Sequence, residues 1–159
     1  MSDPHTPIPS GEFQKIVDTV PICTVDVLFF NSDKTETLLF RRQNEPLKGT
    51  FFSLGGRLLK GESLEDCAVR QAMREAGIAV RKEELTFGGV QGELHHNSMF
   101  KGVAYHAIDV FYGHILHEED VLLDSQHSVY QWFLVSDPTL HPFVQSKISG
   151  ILKAYGKES

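Results

Sequence analysis

The residues best suited to chemistry lie between positions 56 and 78, where glycines and charged side chains recur at fixed intervals. Gly56 is followed after five residues by Glu62 and after seven more by Arg70, and Glu75 precedes the pair Gly77-Ile78. A carboxylate oxygen is the hard ligand that Mg²⁺ prefers, and such a cation neutralises the charge of a diphosphate. Glu75 could therefore supply one oxygen ligand to such a cation.

The charge of the chain favours a small anionic ligand and argues against binding to nucleic acid or to a membrane. The formal net charge is −6, which argues against a surface for nucleic acid or for an anionic membrane. Between positions 41 and 74, however, seven basic and four acidic residues give a local charge of +3. We expect a small anionic molecule as the partner, with no nucleic acid and no membrane.

The spacing resembles the signature of the Nudix hydrolases, which reads G, five x, E, seven x, R-E-U-x-E-E-x-G-U with U an aliphatic residue. In that family the segment forms a loop, a helix and a loop that bind divalent metal against a diphosphate. This chain has Gln71 and Arg74 at two glutamate positions of the signature, so Glu75 alone remains of the usual metal-binding trio. Several clustered Mg²⁺ ions are therefore not expected, and attack of water on phosphorus beside extra metal ions is disfavoured.

The residues around this segment narrow the resemblance to the GDP-mannose mannosyl hydrolase branch of the family. The matching positions are Phe13, Ile16-Val17, Pro21, Val25-Asp26, Leu38-Leu39, Arg42, Pro46, Gly49, Gly55-Gly56-Arg57, Arg70, Met73, Glu75, Gly77, Gln126-His127, Tyr130 and Trp132. That branch also lacks the two glutamates. It breaks the bond between the anomeric carbon of the sugar and a phosphate oxygen, with inversion.

The resemblance implies a role for each matched residue. It assigns metal ligation to the Gly55 carbonyl, Glu75 and Gln126, with one Mg²⁺ per site and Mn²⁺ as an alternative ion. The catalytic candidates are the base His127, the phosphate-binding Arg42, Arg57 and Arg70, and Asp26. The substrate-binding candidates are Phe13, which would stack on the nucleotide base, with Arg42 and Arg57. A homodimer is also implied.

His127 and Asp26 are candidates on chemical grounds as well. His127 lies in a polar loop, and an imidazole titrates near the pH at which a base is useful. Asp26 lies among apolar residues of a strand-like segment, and a buried carboxylate is costly unless it is paired or hydrogen-bonded. Two roles for Asp26 stay open: a structural ion pair with an arginine, and orientation of His127 or of the sugar.

The remaining histidine and cysteine patterns indicate structure. Side chains of His95 and His96 point apart on an extended segment, and we expect both at the rim of the site. Cys23 and Cys67 are too few for a disulfide framework, so we expect small buried hydrophobes and a cytoplasmic protein.

The elements that must position these residues follow from local patterns. Ser10 predicts the cap of a helix over 12–19, and Ser63 with Gly77 predicts a helix over Leu64–Ala76. Strands are expected at Ile22–Phe30, which is apolar on both faces and therefore central, and at 36–42, 86–90, 104–115 and Tyr130–Leu134, before a final helix at 141–155. This order predicts an α/β (α+β) fold, and the resemblance implies the Nudix fold, with a mixed β-sheet sandwiched between helices. We expect a flexible tail over 1–10 and a single domain over 11–159.

Three functions stay open at this point. The first is a Mg²⁺-dependent nucleotide-sugar hydrolase that acts at the anomeric carbon, with GDP-mannose as first choice, although Ala107 stands where the branch is expected to carry a tyrosine. The second is a pyrophosphohydrolase that cleaves a phosphorus–oxygen bond of a nucleoside diphosphate derivative. The third is a catalytically silent module that binds a nucleotide.

Overall fold

The computed structural model describes residues 7–117 and 129–156. Its elements in chain order are α1 (Ser10–Thr19), β1 (Ile22–Phe30), β2 (Glu36–Arg41), β3 (Phe51–Phe52), β4 (Leu54–Arg57), α2 (Leu64–Ala76), a 3₁₀ turn (Lys82–Glu84), β5 (Thr86–His95), β6 (Tyr105–Ile115), β7 (Tyr130–Leu134) and α3 (Pro142–Gly156). No helix within these residues is long and apolar enough to cross a membrane.

Strand β1 lies at the centre of a mixed sheet. On one side it pairs in parallel with β6 along its whole length, from Ile22 opposite Ala107 to Phe30 opposite Ile115. Its other side is shared between β4, which pairs antiparallel with residues 24–27, and β2, which pairs with Phe29 and Phe30. The sheet continues outward through β5 beyond β6 and through β3 and β7 beside β2. The prediction that Ile22–Phe30 is a covered, central strand is confirmed.

Helices cover both faces of this sheet. Val25, Val27 and Phe29 of β1 pack in one core cluster with residues of α2, including Cys67 and Ala72. The alternate residues Leu28 and Phe30 pack in a second cluster with Val144, Ile148 and Ile151 of α3. Because side chains alternate along a strand, the period of two in β1 assigns each residue to one helix layer. The predicted mixed sheet between helices is confirmed.

The boundaries of α2 are those that the sequence predicts. The Ser63 side chain accepts a hydrogen bond from the Asp66 backbone N–H at 3.1 Å, and Gly77 has a φ of 67° at the other end. The hydroxyl satisfies an N–H that has no partner inside the helix, and glycine adopts the left-handed conformation without steric cost. Both ends of the helix that carries Arg70 and Glu75 are therefore fixed by local chemistry.

Two predictions about elements are wrong. Ser10 does not cap α1: it is the first helical residue, and Pro9 occupies the cap position without a side-chain hydrogen bond. The strand expected at 86–90 continues to His95, because β5 pairs with β6 as far as His95 opposite Tyr105. Pairing with a long neighbour thus extends a strand beyond its apolar stretch.

The two cysteines differ in their surroundings. Cys67 is buried under α2 as expected, whereas the prediction of a buried Cys23 is wrong, since its side chain is exposed. Cys23 lies near the start of β1, between the buried residues Ile22 and Thr24.

Three glycines allow α3 to lie unusually close to the sheet. A Cβ atom at Gly150 would come within 2.7 Å of the Gly88 carbonyl oxygen, and one at Gly113 would overlap the Ile151 side chain. A larger residue at these positions would push the helix outward. Lys147 lies about one helical turn before Gly150, and the close approach brings its side chain to the buried face of the sheet.

Candidate active site

A cleft of about 260 Å³ lies between the end of β2, the start of β4 and the C-terminal part of α2. We call it the Glu75 cleft, because Glu75 lines it together with Arg42 and Gly55. Gly55 and Glu75, to which the family resemblance assigns metal ligation, thus line one cavity. The third, Gln126, lies outside the described residues, as does His127.

The Glu75 cleft fits a metal site with few ligands. Gln71 is buried and lies against Gly56, where a Cβ atom would overlap its side-chain amide. Arg74 lines a different cavity. Within residues 7–117 and 129–156, no group of three or more His, Cys, Asp and Glu side chains could hold a metal ion. A backbone carbonyl, the Glu75 carboxylate and one amide oxygen would be hard ligands of the kind that suits Mg²⁺.

Gly55 is required by the closeness of two strands. It is opposite Asp26 in the pairing of β4 with β1, and a Cβ atom at position 55 would overlap Asp26 Oδ1 and the Val25 carbonyl oxygen. Glycine therefore lets the Asp26 carboxylate lie directly beside the backbone of β4.

A second cavity of about 120 Å³ adjoins the first and shares Arg42, Ser53 and Gly55 with it. We call it the inner cleft; its other polar lining residues include Thr24, Asp26, Glu93, His95 and Tyr105. Arg42 Nε donates to the Pro46 carbonyl oxygen at 2.6 Å, which places this arginine where it lines both cavities. The inner cleft is thus lined by one arginine and by two buried acids, Asp26 and Glu93.

His95 is part of the inner cleft, so the prediction that it is a rim residue is wrong. It is buried, and its ring lies 5.4 Å from that of Phe143 and 6.2 Å from that of Tyr105. The prediction that the two neighbouring histidines point apart agrees with the exposure of His96. Burial, assisted by the nearby Arg42 charge, lowers the pKa of His95 to about 4. His95 is therefore neutral at neutral pH.

Beneath the inner cleft lies a buried cluster of charges around Lys147. Its ammonium nitrogen is 2.9 Å from Asp26 Oδ2, 2.9 Å from Glu93 Oε2 and 3.0 Å from Asp109 Oδ2. The Ser53 hydroxyl accepts from the same nitrogen at 2.9 Å and donates to Asp26 Oδ2. Asp26 therefore has an ion-pair partner, but the arginine expected from the sequence is wrong: the partner is a lysine of α3.

The protonation of this cluster is set by burial and by mutual repulsion of its acids. Burial and the neighbouring Asp26 raise the pKa of Asp109 well above its ordinary value. Burial likewise raises the pKa of Glu93, against the opposing effect of Lys147. Although burial disfavours the charge on Lys147, the three acids around it raise its pKa. The ammonium is therefore the firmly ionised member of the cluster.

Three arginines other than Arg42 line a separate cavity of about 530 Å³ near α1, which we call the arginine cleft. Its lining includes Phe13, Arg57, Arg70 and Arg74. The Arg57 guanidinium lies 5.7 Å from the centre of the Phe13 ring, within the range of a cation–π contact. The predicted phosphate-binding and base-stacking residues are thus neighbours in space, apart from Arg42.

Arg70 is held by the loop that precedes its own helix. It donates to Glu62 from Nε at 2.7 Å and from Nη2 at 3.0 Å, and Nη2 also donates to the Arg57 carbonyl oxygen at 3.2 Å. Glu62 accepts a further bond from the Leu59 backbone N–H at 3.1 Å. The glutamate and arginine of the spaced motif therefore brace the loop 57–62 against α2.

The sequence did not indicate Glu93 of the inner cleft, nor Asp109 and Lys147 of the charge cluster beneath it. Glu93 and Asp109 lie in strands whose limits or burial were not apparent, and Lys147 lies in a helix whose buried positions include Val144, Ile148 and Ile151. The available signal was the spacing of three or four residues between this lysine and the apolar face of its helix.

The chain is similar to a known protein family and to known proteins. The model of the NUDIX domain matches residues 21–153. The chain is 30% identical over 149 residues to the low-salt glycan biosynthesis protein Agl8 of Haloferax volcanii, and the match covers 93% of each chain.

Solved structures share the fold. The crystal structure of the MutT NUDIX hydrolase from Burkholderia pseudomallei matches with a TM-score of 0.65 and 18% identity, over 83% of this chain and 98% of that one. The NUDIX domain of Shewanella oneidensis NrtR, complexed with ADP ribose, matches with a TM-score of 0.63 and 17% identity, over 96% of this chain and 100% of that one.

The Arg70–Glu62 pair predicts a pH-dependent contribution to stability. The pKa of Glu62 is lowered, chiefly by the hydrogen bond from Arg70. A carboxylate whose pKa is lowered on folding stabilises the folded state above its ordinary pKa, and this contribution disappears as the pH falls through the lowered value. In urea unfolding, Glu62→Gln should lower the free energy of unfolding by roughly 1–2 kcal/mol at neutral pH, and the difference from wild type should shrink below about pH 4.

The matched control is Glu83→Gln, because the Glu83 side chain is 76% exposed and lies 3.9 Å from Arg81. It should change the free energy of unfolding little at any pH. A Glu62→Gln difference that is absent at neutral pH, or that stays constant into the acid range, would contradict the proposed brace.

Proposed function

Since the chain belongs to the Nudix family, we propose that this Nudix hydrolase acts on a nucleotide sugar at the anomeric carbon, with GDP-mannose as the first candidate. The observation that carries the proposal is that, among residues 7–117 and 129–156, Glu75 is the one acid that lines the Glu75 cleft. Glu75 lines that cleft, while Gln71 is turned against Gly56 and Arg74 lines the arginine cleft. A cleft with one carboxylate among its described lining residues suits one cation and a stabilised leaving group better than a cluster of ions that activates water for attack on phosphorus.

Two relatives support a sugar-containing nucleotide as the substrate class. Agl8 is named as a protein of glycan biosynthesis. The NrtR domain is complexed with ADP ribose, in which a nucleoside diphosphate is joined to a sugar. A substrate of this kind would place its negative charge near arginines and its neutral hydroxyl groups in a polar cavity.

The residues of the chain would divide the work as follows. Bound Mg²⁺, with Mn²⁺ as an alternative, would be held by the Gly55 carbonyl, Glu75 and Gln126, and would offset the negative charge of the departing diphosphate. The positive charges of Arg42, Arg57 and Arg70 would offset the negative charge of the phosphates, and Phe13 would contact the nucleotide base.

The proton transfer would belong to His127. As the water oxygen bonds to the anomeric carbon, His127 would accept its proton, and the bond from that carbon to the phosphate oxygen would break. The electron pair of the broken bond leaves with the nucleoside diphosphate. Asp26, beside the Gly55 backbone, would orient the sugar or the general base His127. A homodimer and a cytoplasmic location stay predictions from the sequence.

The position of bond cleavage tests the function directly. We expect hydrolysis of GDP-mannose in ¹⁸O-labelled water to give unlabelled GDP and labelled mannose, as measured by mass spectrometry. A control with free mannose, labelled water and no enzyme measures spontaneous exchange at the anomeric carbon. Label in GMP or in mannose 1-phosphate would establish a pyrophosphohydrolase instead, and no turnover across a panel of nucleotide sugars would favour a binding module.

The metal assignment predicts a specific defect in Glu75→Gln. The substitution preserves shape but removes the negative charge of the proposed ligand, so the Mg²⁺ concentration for half-maximal rate should rise roughly tenfold or more. Glu83→Gln, which removes an exposed glutamate of the 3₁₀ turn, is the control and should leave the metal dependence unchanged. An unaltered Mg²⁺ dependence in Glu75→Gln would remove this residue from the ligand set.

The role of His127 as base predicts a loss of rate without a loss of affinity. In His127→Gln, kcat should fall roughly 10²- to 10⁴-fold, which is the usual contribution of general base catalysis. The affinity for GDP, measured by calorimetry, should stay within about twofold, since the base contacts water rather than the nucleotide. His106→Gln, at an exposed position of β6, is the control. Wild-type turnover in His127→Gln would refute the assignment.

A further inference from the structure

Lys147 is a fully buried lysine whose ammonium has more oxygen neighbours than protons to donate. Its relative exposure is 0%, and four oxygen atoms, from Asp26, Ser53, Glu93 and Asp109, lie within 3.0 Å of Nζ. An ammonium has three N–H donors. Asp109 Oδ2, although 3.0 Å away, has no well-aligned hydrogen bond within the described part of the chain. The ammonium is thus shared among competing carboxylates.

Docking of α3 does not require this arrangement. Val144, Ile148 and Ile151 of the same helix already pack in the apolar cluster that covers the sheet. A buried charge must be desolvated, and an apolar residue of similar volume is often as stable or more stable at such a site. Three acids around one ammonium also leave an excess of negative charge in the cluster if all are ionised. The arrangement is better explained by its effect on the carboxylates than by helix packing.

The cluster extends from the interior to the candidate active site. Asp26 and Glu93 line the inner cleft, together with Arg42 and His95. Asp26 is oriented at both ends: Oδ2 is bonded by Lys147 and Ser53, while Oδ1 lies against the backbone of Gly55. Gly55 lines both the inner cleft and the Glu75 cleft. The ammonium therefore fixes the rotation of a carboxylate at the junction of the two cavities.

We propose that Lys147 is a positioning residue, which holds the Asp26 carboxylate in one orientation, with Oδ1 beside Gly55, where the two cavities meet. This inference rests on the proposed function, in which Asp26 orients the sugar or the general base His127. Lys147 itself does not contact substrate in this role. Its contribution is to prevent Asp26 from rotating toward Asp109 or into the cleft.

The test removes the ammonium together with one of the acids that surround it. The double variant Lys147→Met, Asp109→Asn leaves fewer buried acids without a counterion, so it should destabilise the fold less than Lys147→Met alone. Asp109→Asn alone controls for the loss of the acid. Ile148→Val controls for loosening of α3, because it removes one buried methylene from the same helix and leaves the carboxylates untouched. Thermal unfolding verifies that each variant is folded.

Two measurements decide the outcome. In crystals of the double variant, the Asp26 side chain should leave its position beside Gly55, whereas it should keep that position in both controls. In kinetics with GDP-mannose, kcat of the double variant should fall roughly 10- to 100-fold, the usual effect of misplacing a catalytic arrangement by about 1 Å, with KM within about threefold. Both controls should retain kcat within about threefold.

The two proposals fail in different ways. An Asp26 that stays beside Gly55 in the double variant, or a double variant as active as its controls, overturns the positioning role. If wild type hydrolyses no nucleotide sugar, the proposed function fails, and the position of Asp26 in the crystals alone decides the role of Lys147.

Discussion

The covering of β1 on both edges and both faces is the constraint on which the rest of the structure depends. Residues 24–30 of this strand are buried, so each polar group on them needs a partner within the protein. Asp26 is a carboxylate on this strand, and it obtains a hydroxyl from Ser53 and an ammonium from Lys147. The neighbouring strand must also come close, which only glycine permits at position 55. The candidate site is thus a consequence of placing an acid in the most enclosed strand of the sheet.

The sequence predicts the elements whose signals are local. Strand β1 follows from its period and its apolar content, and α2 follows from a serine cap and a terminal glycine, since each signal lies within a few residues of the element it defines. Signals that depend on distant partners are not available in the same way. The length of β5 depends on its pairing with β6. The exposure of Cys23 depends on which other elements of the fold pack over that position of β1.

The candidate site could be predicted in part for the same reason. The family resemblance indicated Gly55 and Glu75 as metal ligands, and the structure places both in one cleft with Arg42. The partner of Asp26 is 121 residues away in sequence, on a helix whose pattern alone indicates only an amphipathic surface. His95 was misplaced because strand alternation shows that neighbouring histidines diverge but does not show which of them faces the interior. Ion pairs across layers are properties of the assembled fold.

The dependence of Asp26 on a residue of the last helix also limits how this fold can be recombined. The sheet supplies three acids, from β1, β5 and β6, and α3 supplies the single ammonium that they surround. A chimera that takes its C-terminal helix from a relative with an apolar residue at position 147 would inherit buried acids with no counterion. The acids and the lysine therefore depend on one another, so a chimera would have to exchange them together.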